Sequence, residues 1–294
     1  MKKVVAIQYP SGGFGHTIHV ILTMFGKNFA GAPRDYAFGV GGDSHRFPIL
    51  LPKIYNVAKY KAALFYQALE KIDDNKNVTV LIDSGITDDT LDFKRLIPCD
   101  FTIRICYDHW TWPLLAKMFY TRCMSAVDLK KHTLIDFISP DEMQWAGSTS
   151  ENWAVTEKYF LYLRDHHFRQ CWRPADGCVT LPIEKILNYD SLYNTLNHWF
   201  EVSEFEDFYK KWHNVNNEHF SFYFDCLEIM DCIESNKSKD LTGIDDLFAR
   251  AVVYYYIWIK YNFEIPHNTY SNWFTNTTDI VKMLADHGVI IDSN

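Results

Sequence analysis

No two cysteines in this sequence are spaced as C-x-x-C, and no block of five lysines or arginines occurs. No apolar run approaches a membrane span, and no segment repeats. Each absence closes off a class of protein. The seven cysteines are odd in number and irregularly spaced, so they read as reduced, buried thiols rather than a disulfide framework or a zinc ribbon. A formal net charge of −8 without a basic block argues against a nucleic-acid binder, while leaving room for a local basic pocket around one anionic ligand. The most apolar stretch, "AVVYYYIWI" at 251–259, falls well short of the roughly 20 residues a membrane helix needs. Only "VVAI" follows Met1-Lys2-Lys3, too short for a signal-peptide core. The expectation is a soluble, cytoplasmic chain with no membrane partner, in which the sequons at Asn77, Asn236 and Asn276 are incidental. No oligomeric state is legible.

Histidine spacing is equally unhelpful to a metal. Asp165-His166-His167 places adjacent imidazoles in different directions on a helix, and His213 and His219 are six apart. Neither matches a one-face ligand spacing, and no metal is expected. What the sequence does have is apolar bulk: 48% of its 294 residues are hydrophobic, enough for a substantial core.

That bulk is arranged in alternating elements. "KKVVAIQY" (2–9) reads as a buried strand stopped by Pro10, and 16–27 as a helix with Ile18, Ile21, Leu22 and Phe25 on one face. "NVTVLIDSG" (77–85), "DFTIRICY" (100–107) and "GCVTLPIEKIL" (177–187) read as three further strands. Residues 53–74, a stretch from Pro113 to about Cys123, and 150–170 read as helices. Residues 30–49 read as a loop, and helices dominate from about 190: 190–201, 204–213, 217–233 and 243–262. Strand–helix alternation of this kind predicts an α/β fold with a parallel sheet flanked by helices. With no clear linker, 1–294 is expected to form a single domain with a helix-rich C-terminal part.

The chemistry-bearing feature is the gap after the first strand, "YPSGGFGHT" (9–17). A strand, a glycine turn and a helix make an anion site: the helix presents backbone N–H groups and a positive dipole end, and glycine lets the chain wrap closely. Set against the nucleotide-binding pattern G-x-x-x-x-G-K-[ST], Gly15 and Thr17 are in place. Pro10 stands for the first glycine and His16 for the lysine. A dinucleotide-type G-x-G-x-x-G fails at Ile18. The plainer alternative is a tight turn with no ligand.

"YPSGGFGHT" after a first strand resembles the phosphosulfate-binding loop of the sulfotransferases, whose loop reads Y-P-K/R-S-G-T/S-T. Tyr9, Pro10, Ser11 and Gly12 match, and the basic residue between Pro and Ser is missing. Arg104 in "FTIRIC", with Thr111 seven residues on, is similar to the family's Arg and Ser that hold a 3′-phosphate. The stretches 151–174 and 179–202 resemble later family segments, whereas the family's C-terminal R-K-G loop has no counterpart. The resemblance implies a P-loop-like fold and 3′-phosphoadenosine 5′-phosphosulfate (PAPS) as co-substrate, with no metal. It implies that Ser11, Gly12, Gly13, Phe14, Gly15, His16 and Thr17 hold the phosphosulfate, and that Arg104 and Thr111 hold the 3′-phosphate. The acceptor would be a hydroxyl or amine of a small molecule or glycan. Asp83, at the end of "VTVLID", would be the base. His45 in "GGDSHRF" is a second candidate, and His16 would act on the bridging oxygen.

Two other readings stay open. A P-loop kinase would use Asp83 on Mg²⁺, and a non-catalytic P-loop-like binding protein would explain the missing basic residue. Asp83 can equally be a turn cap, "GGDSHRF" a solvated loop, and the aromatic clusters core packing. "YDHW" (107–110) follows the third strand and is a further candidate lining segment.

Overall fold

The computed structural model describes residues 3–9, 13–30, 69–70, 72–83, 99–108, 110–115, 117–118, 177–242, 253, 256–263 and 274–291, with the side chains of 82 and 83 left out. Tertiary contacts gather the chain into two compact units. The first comprises Met1–Asp108 and His166–Asn217, and the second His109–Asp165 and Glu218–Asn294.

The first unit holds the sheet. Strands β1 (Val4–Tyr9), β2 (Val78–Asp83), β3 (Phe101–Cys106) and β4 (Val179–Pro182) run in the order β2-β1-β3-β4, every pairing parallel. All six residues of β1 are buried, as befits an inner strand of a parallel sheet, where both faces are covered. Register sorts the side chains by face. Val5, Ile7 and Tyr9 align with Thr79, Leu81 and Asp83 of β2, while Gln8 aligns with Arg104 of β3 and Arg104 with Thr180 of β4. Because successive residues alternate, Gln8, Arg104 and Thr180 form a polar row on the face opposite Tyr9.

Helix α1 (Gly15–Phe25) lies on the Tyr9 face, with Ile18, Ile21 and Leu22 wholly excluded from water. A short helix α2 (Ile183–Ile186) leads from β4 to α3 (Tyr189–Phe200). Asn188 caps α3 by accepting from Ser191 N–H at 2.9 Å. Helix α4 (Glu206–Val215) is fastened to α2 by Tyr209, whose hydroxyl donates to the Ile186 carbonyl at 3.1 Å. Phe25 packs on Phe205 and Phe208, joining α1 to α4.

The second unit is helical where described. Its helix α5 (Asn217–Glu234) buries Phe220, Tyr223, Ile229 and Met230. Glu234 accepts from both Tyr256 and Lys260, and the Lys260 ammonium sits 5.1 Å from the centre of the Trp110 ring. Helix α6 (Thr277–Asp286) has no counterpart in the sequence reading. Asn276, counted there as an incidental sequon, is its N-cap and accepts from Thr278 N–H at 3.0 Å.

The expected strands 2–9, 77–85 and 100–107 appear as β1, β2 and β3, trimmed at their ends. The fourth, 177–187, is cut to four residues by a helix starting at Ile183. Of the four helices expected from about 190, those at 190–201, 204–213 and 217–233 are α3, α4 and α5, and within 243–262 residues 253 and 256–261 are helical where described. The helices at 53–74 and 150–170 and the loop at 30–49 fall wholly or almost wholly outside the described residues. The five described cysteines are all free. No helix among the described residues is long and apolar enough to cross a membrane.

Candidate functional site at the carboxyl edge of the sheet

In a parallel sheet every strand delivers its following loop to the same edge. The chain passes from β1 to β2 on one side and then crosses to β3 on the other, so the strand order reverses at β1. The crevice at such a reversal is where open α/β sheets bind ligands. The glycine turn leaves β1 at that point, and Asp83 ends β2 in register with Tyr9.

Within the turn, Phe14 adopts the left-handed conformation (φ 58°, ψ 12°) and is the residue before α1. A phenylalanine tolerates this strain because its ring is held: it is 7% exposed and meets Trp212 of α4 edge-on at 5.3 Å. Gly15 is required for a packing reason. A Cβ there would stand 2.1 Å from Cδ1 of Tyr9, so glycine is what lets the first turn of α1 close onto the strand. The Tyr9 hydroxyl in turn meets His16 Nε2 at 2.9 Å, with the rings near perpendicular. Gly13 and Thr17 are buried. No side chain caps α1 and no acidic residue occupies its first turn, which keeps negative charge away from the helix end where an anion would sit.

Arg104 stands two residues before the end of β3, half-buried, on the opposite face from Tyr9. Burial raises the Cys106 thiol's pKa, and the Arg104 charge works against that rise. Thr111 belongs to the second unit, where it is fully buried and its carbonyl accepts from Leu114 N–H at 3.2 Å. Ser11, Gly12 and His45 lie outside the described residues, and Asp83 is placed by its backbone alone.

Sequence reasoning singled out Asp108 within "YDHW" but missed its neighbour Glu184. Asp108 follows β3 and Glu184 opens α2 after β4, and adjacent parallel strands bring the two to the same edge. The Asp108 charge acts on Glu184 there. Glu184 has its pKa raised, by partial desolvation first and by the Asp108 charge after it. An acid in the first turn of a helix is so ordinary that nothing in "LPIEKI" marked it; the strand ends at 106 and 182 were the available signal.

His19 is the other perturbed group. It is 4% exposed, its Nδ1 lies 2.6 Å from Thr79 Oγ1, and burial lowers its pKa to about 4. It is therefore a neutral core residue between α1 and β2. No group of three metal-ligating side chains occurs among the described residues.

Compared with protein-family models, with curated proteins and with solved structures, the chain matches none.

Proposed function

We propose that the chain is a P-loop-like sulfotransferase that moves a sulfuryl group from PAPS to a hydroxyl or amine of a small molecule or glycan. The observation that carries this reading is the position of the glycine turn at the carboxyl end of β1, where the strand order reverses. It is supported by an α1 first turn free of carboxylates and by an arginine on the neighbouring strand.

In this reading the N–H groups of the turn hold the phosphosulfate, and Tyr9 fixes the His16 ring through Nε2. Arg104 supplies the fixed positive charge for the 3′-phosphate that the loop itself lacks. Asp83 or His45 takes the acceptor's proton as the acceptor's oxygen or nitrogen bonds to sulfur. The bond from sulfur to the bridging oxygen breaks, and its electron pair stays on the 5′-phosphate. The turn's N–H groups and His16 stabilise that charge as it develops.

The test is a thermal-shift comparison of adenosine 3′,5′-bisphosphate with ATP–Mg²⁺. Stabilisation by the bisphosphate without Mg²⁺ is expected. A response to ATP–Mg²⁺ alone would transfer the reading to a kinase, and no response to either to a non-catalytic binding protein. Gly13→Val should abolish bisphosphate binding by isothermal titration while the fold persists, because a side chain there would disturb the amides that this reading turns toward the anion. Arg104→Ala should weaken it by about 1.5–3 kcal/mol, the scale of charge-assisted hydrogen bonds.

A further inference from the structure

The opposite edge of the sheet carries a cavity of about 470 Å³, formed where the amino ends of β1, β2 and β3 meet the ends of α1 and α3. Such a volume lies within the range of roughly 300–1,000 Å³ typical of small-molecule sites. We propose that this cavity is a second ligand site, distinct from the glycine turn, for an uncharged planar heteroaromatic ring with an amide-type donor–acceptor edge. That is the chemistry of an oxopurine or pyrimidine base.

The aromatic wall supplies the stacking surface. Phe101, Trp199 and Phe200 meet one another at ring-centre distances of 5.0, 5.9 and 6.3 Å, edge-on or tilted. Trp199 and Phe200 remain only half-buried, so ring surface is left to accept a flat ligand. Phe101 aligns with Val5 of β1, which places both on one face of the sheet.

Two amides supply the hydrogen-bonding edge. Asn28 and Asn77 both line the cavity, and each side-chain amide offers two donor hydrogens and an acceptor oxygen. Their backbones are pinned to each other: Asn77 N–H donates to the Asn28 carbonyl at 2.6 Å, and Ala30 N–H to that of Asn77 at 2.8 Å. Asn28 holds φ 63°, a left-handed geometry that asparagine tolerates better than most residues. The two backbones are therefore fixed against each other at the cavity wall, and a pair of side-chain amides is the chemistry that reads the paired donor and acceptor of a base edge.

Charge disfavours an ionic ligand. The lining contains two lysines, Lys3 and Lys27, and two acids, Asp100 and Glu201, so its formal charges cancel. Lys27 is 2.5 Å from Glu201, and Asp100 accepts from Val4 N–H at 2.7 Å. A strongly anionic or cationic ligand finds no net attraction there. The six residues of β1 separate this edge from the glycine turn by about 20 Å, so a ring bound here takes no part in chemistry at the other edge.

The test is isothermal titration of the full chain with hypoxanthine, with indole as a bicycle of similar size that lacks the paired edge. Hypoxanthine should bind at least about fivefold tighter than indole, the scale of one net hydrogen bond. Asn77→Ala and Trp199→Ala should each weaken hypoxanthine by at least about fivefold, and Gly13→Val should leave its affinity unchanged. If Trp199→Ala fails to fold, Asn77→Ala decides alone. The proposal is overturned by an absence of binding, by equal affinity for indole, by a smaller change in either folded variant, or by loss of binding in Gly13→Val.

Discussion

The two edges of the same sheet are built by different means. At the carboxyl edge the structure is made by backbone: a left-handed Phe14, a Gly15 with no room for a methyl group, and a helix start without a cap. At the amino edge it is made by side chains from five separate segments around an open cavity. A backbone-built site is contiguous in sequence and constrains residue type severely. A side-chain site is scattered, and each of its residues looks ordinary in its own segment.

Glycine substitution is the sharpest way to break that contrast. Gly15→Ala should cost about 3 kcal/mol or more, because the new Cβ collides with the buried ring of Tyr9. Gly177, just before β4 at the other edge, has φ 77° and nothing within 4 Å of an added Cβ. Gly177→Ala should cost only the backbone strain of about 1–2 kcal/mol. Urea unfolding of both variants measures the difference, and equal costs would show that Gly15 is under no steric demand.

Between the edges, His19 gives the next effect. Its folded pKa, about 4, lies below the ordinary 6.5, so the fold favours the neutral ring. The stability this provides is fully present above pH 6.5 and is lost as pH falls from 6.5 through 4, by about 3 kcal/mol. His19→Gln should flatten that part of the stability–pH curve. A wild-type curve with the same slope as the variant would remove His19 from the account.

The smallest effect belongs to Glu184. Its raised pKa means that the fold favours the protonated acid, so its contribution is lost as pH rises above the ordinary 4.5. Glu184→Gln should therefore be neutral or slightly stabilising at pH 7, within about 0.5 kcal/mol given its exposure to solvent. Glu184→Gln that destabilises at pH 7 would mean the carboxylate is needed ionised.

How much of this was legible follows the same division. The inner strands were readable because a parallel sheet demands continuous apolar runs, and "VVAIQY" and "FTIRIC" supply them. The fourth strand was overdrawn because "PIEKI" continues the apolar pattern while it turns helical. The glycine turn was visible as a motif, but Gly15's reason was not, since Tyr9's ring reaches it only once the strand and helix are folded together. The carboxyl pair and the amino-edge cavity depend on register between strands more than 70 residues apart in sequence, which periodicity does not encode. Helix α6 was missed although its cap was in plain view: Asn276 with an acid three residues on is a start signal.

The pairing of β1 also sets an order of events during synthesis. This strand leaves the ribosome first among the four, yet its neighbours are residues 78–83 and 101–106. At roughly 5–20 residues per second, about 4–15 seconds of translation pass before its first partner has been made. Through that interval a six-residue, fully apolar-or-neutral segment with no proline lacks both of its sheet neighbours, the composition that invites strand-to-strand aggregation. Nascent chains halted before residue 83 should therefore depend on a holdase in a way that chains halted after residue 182 do not.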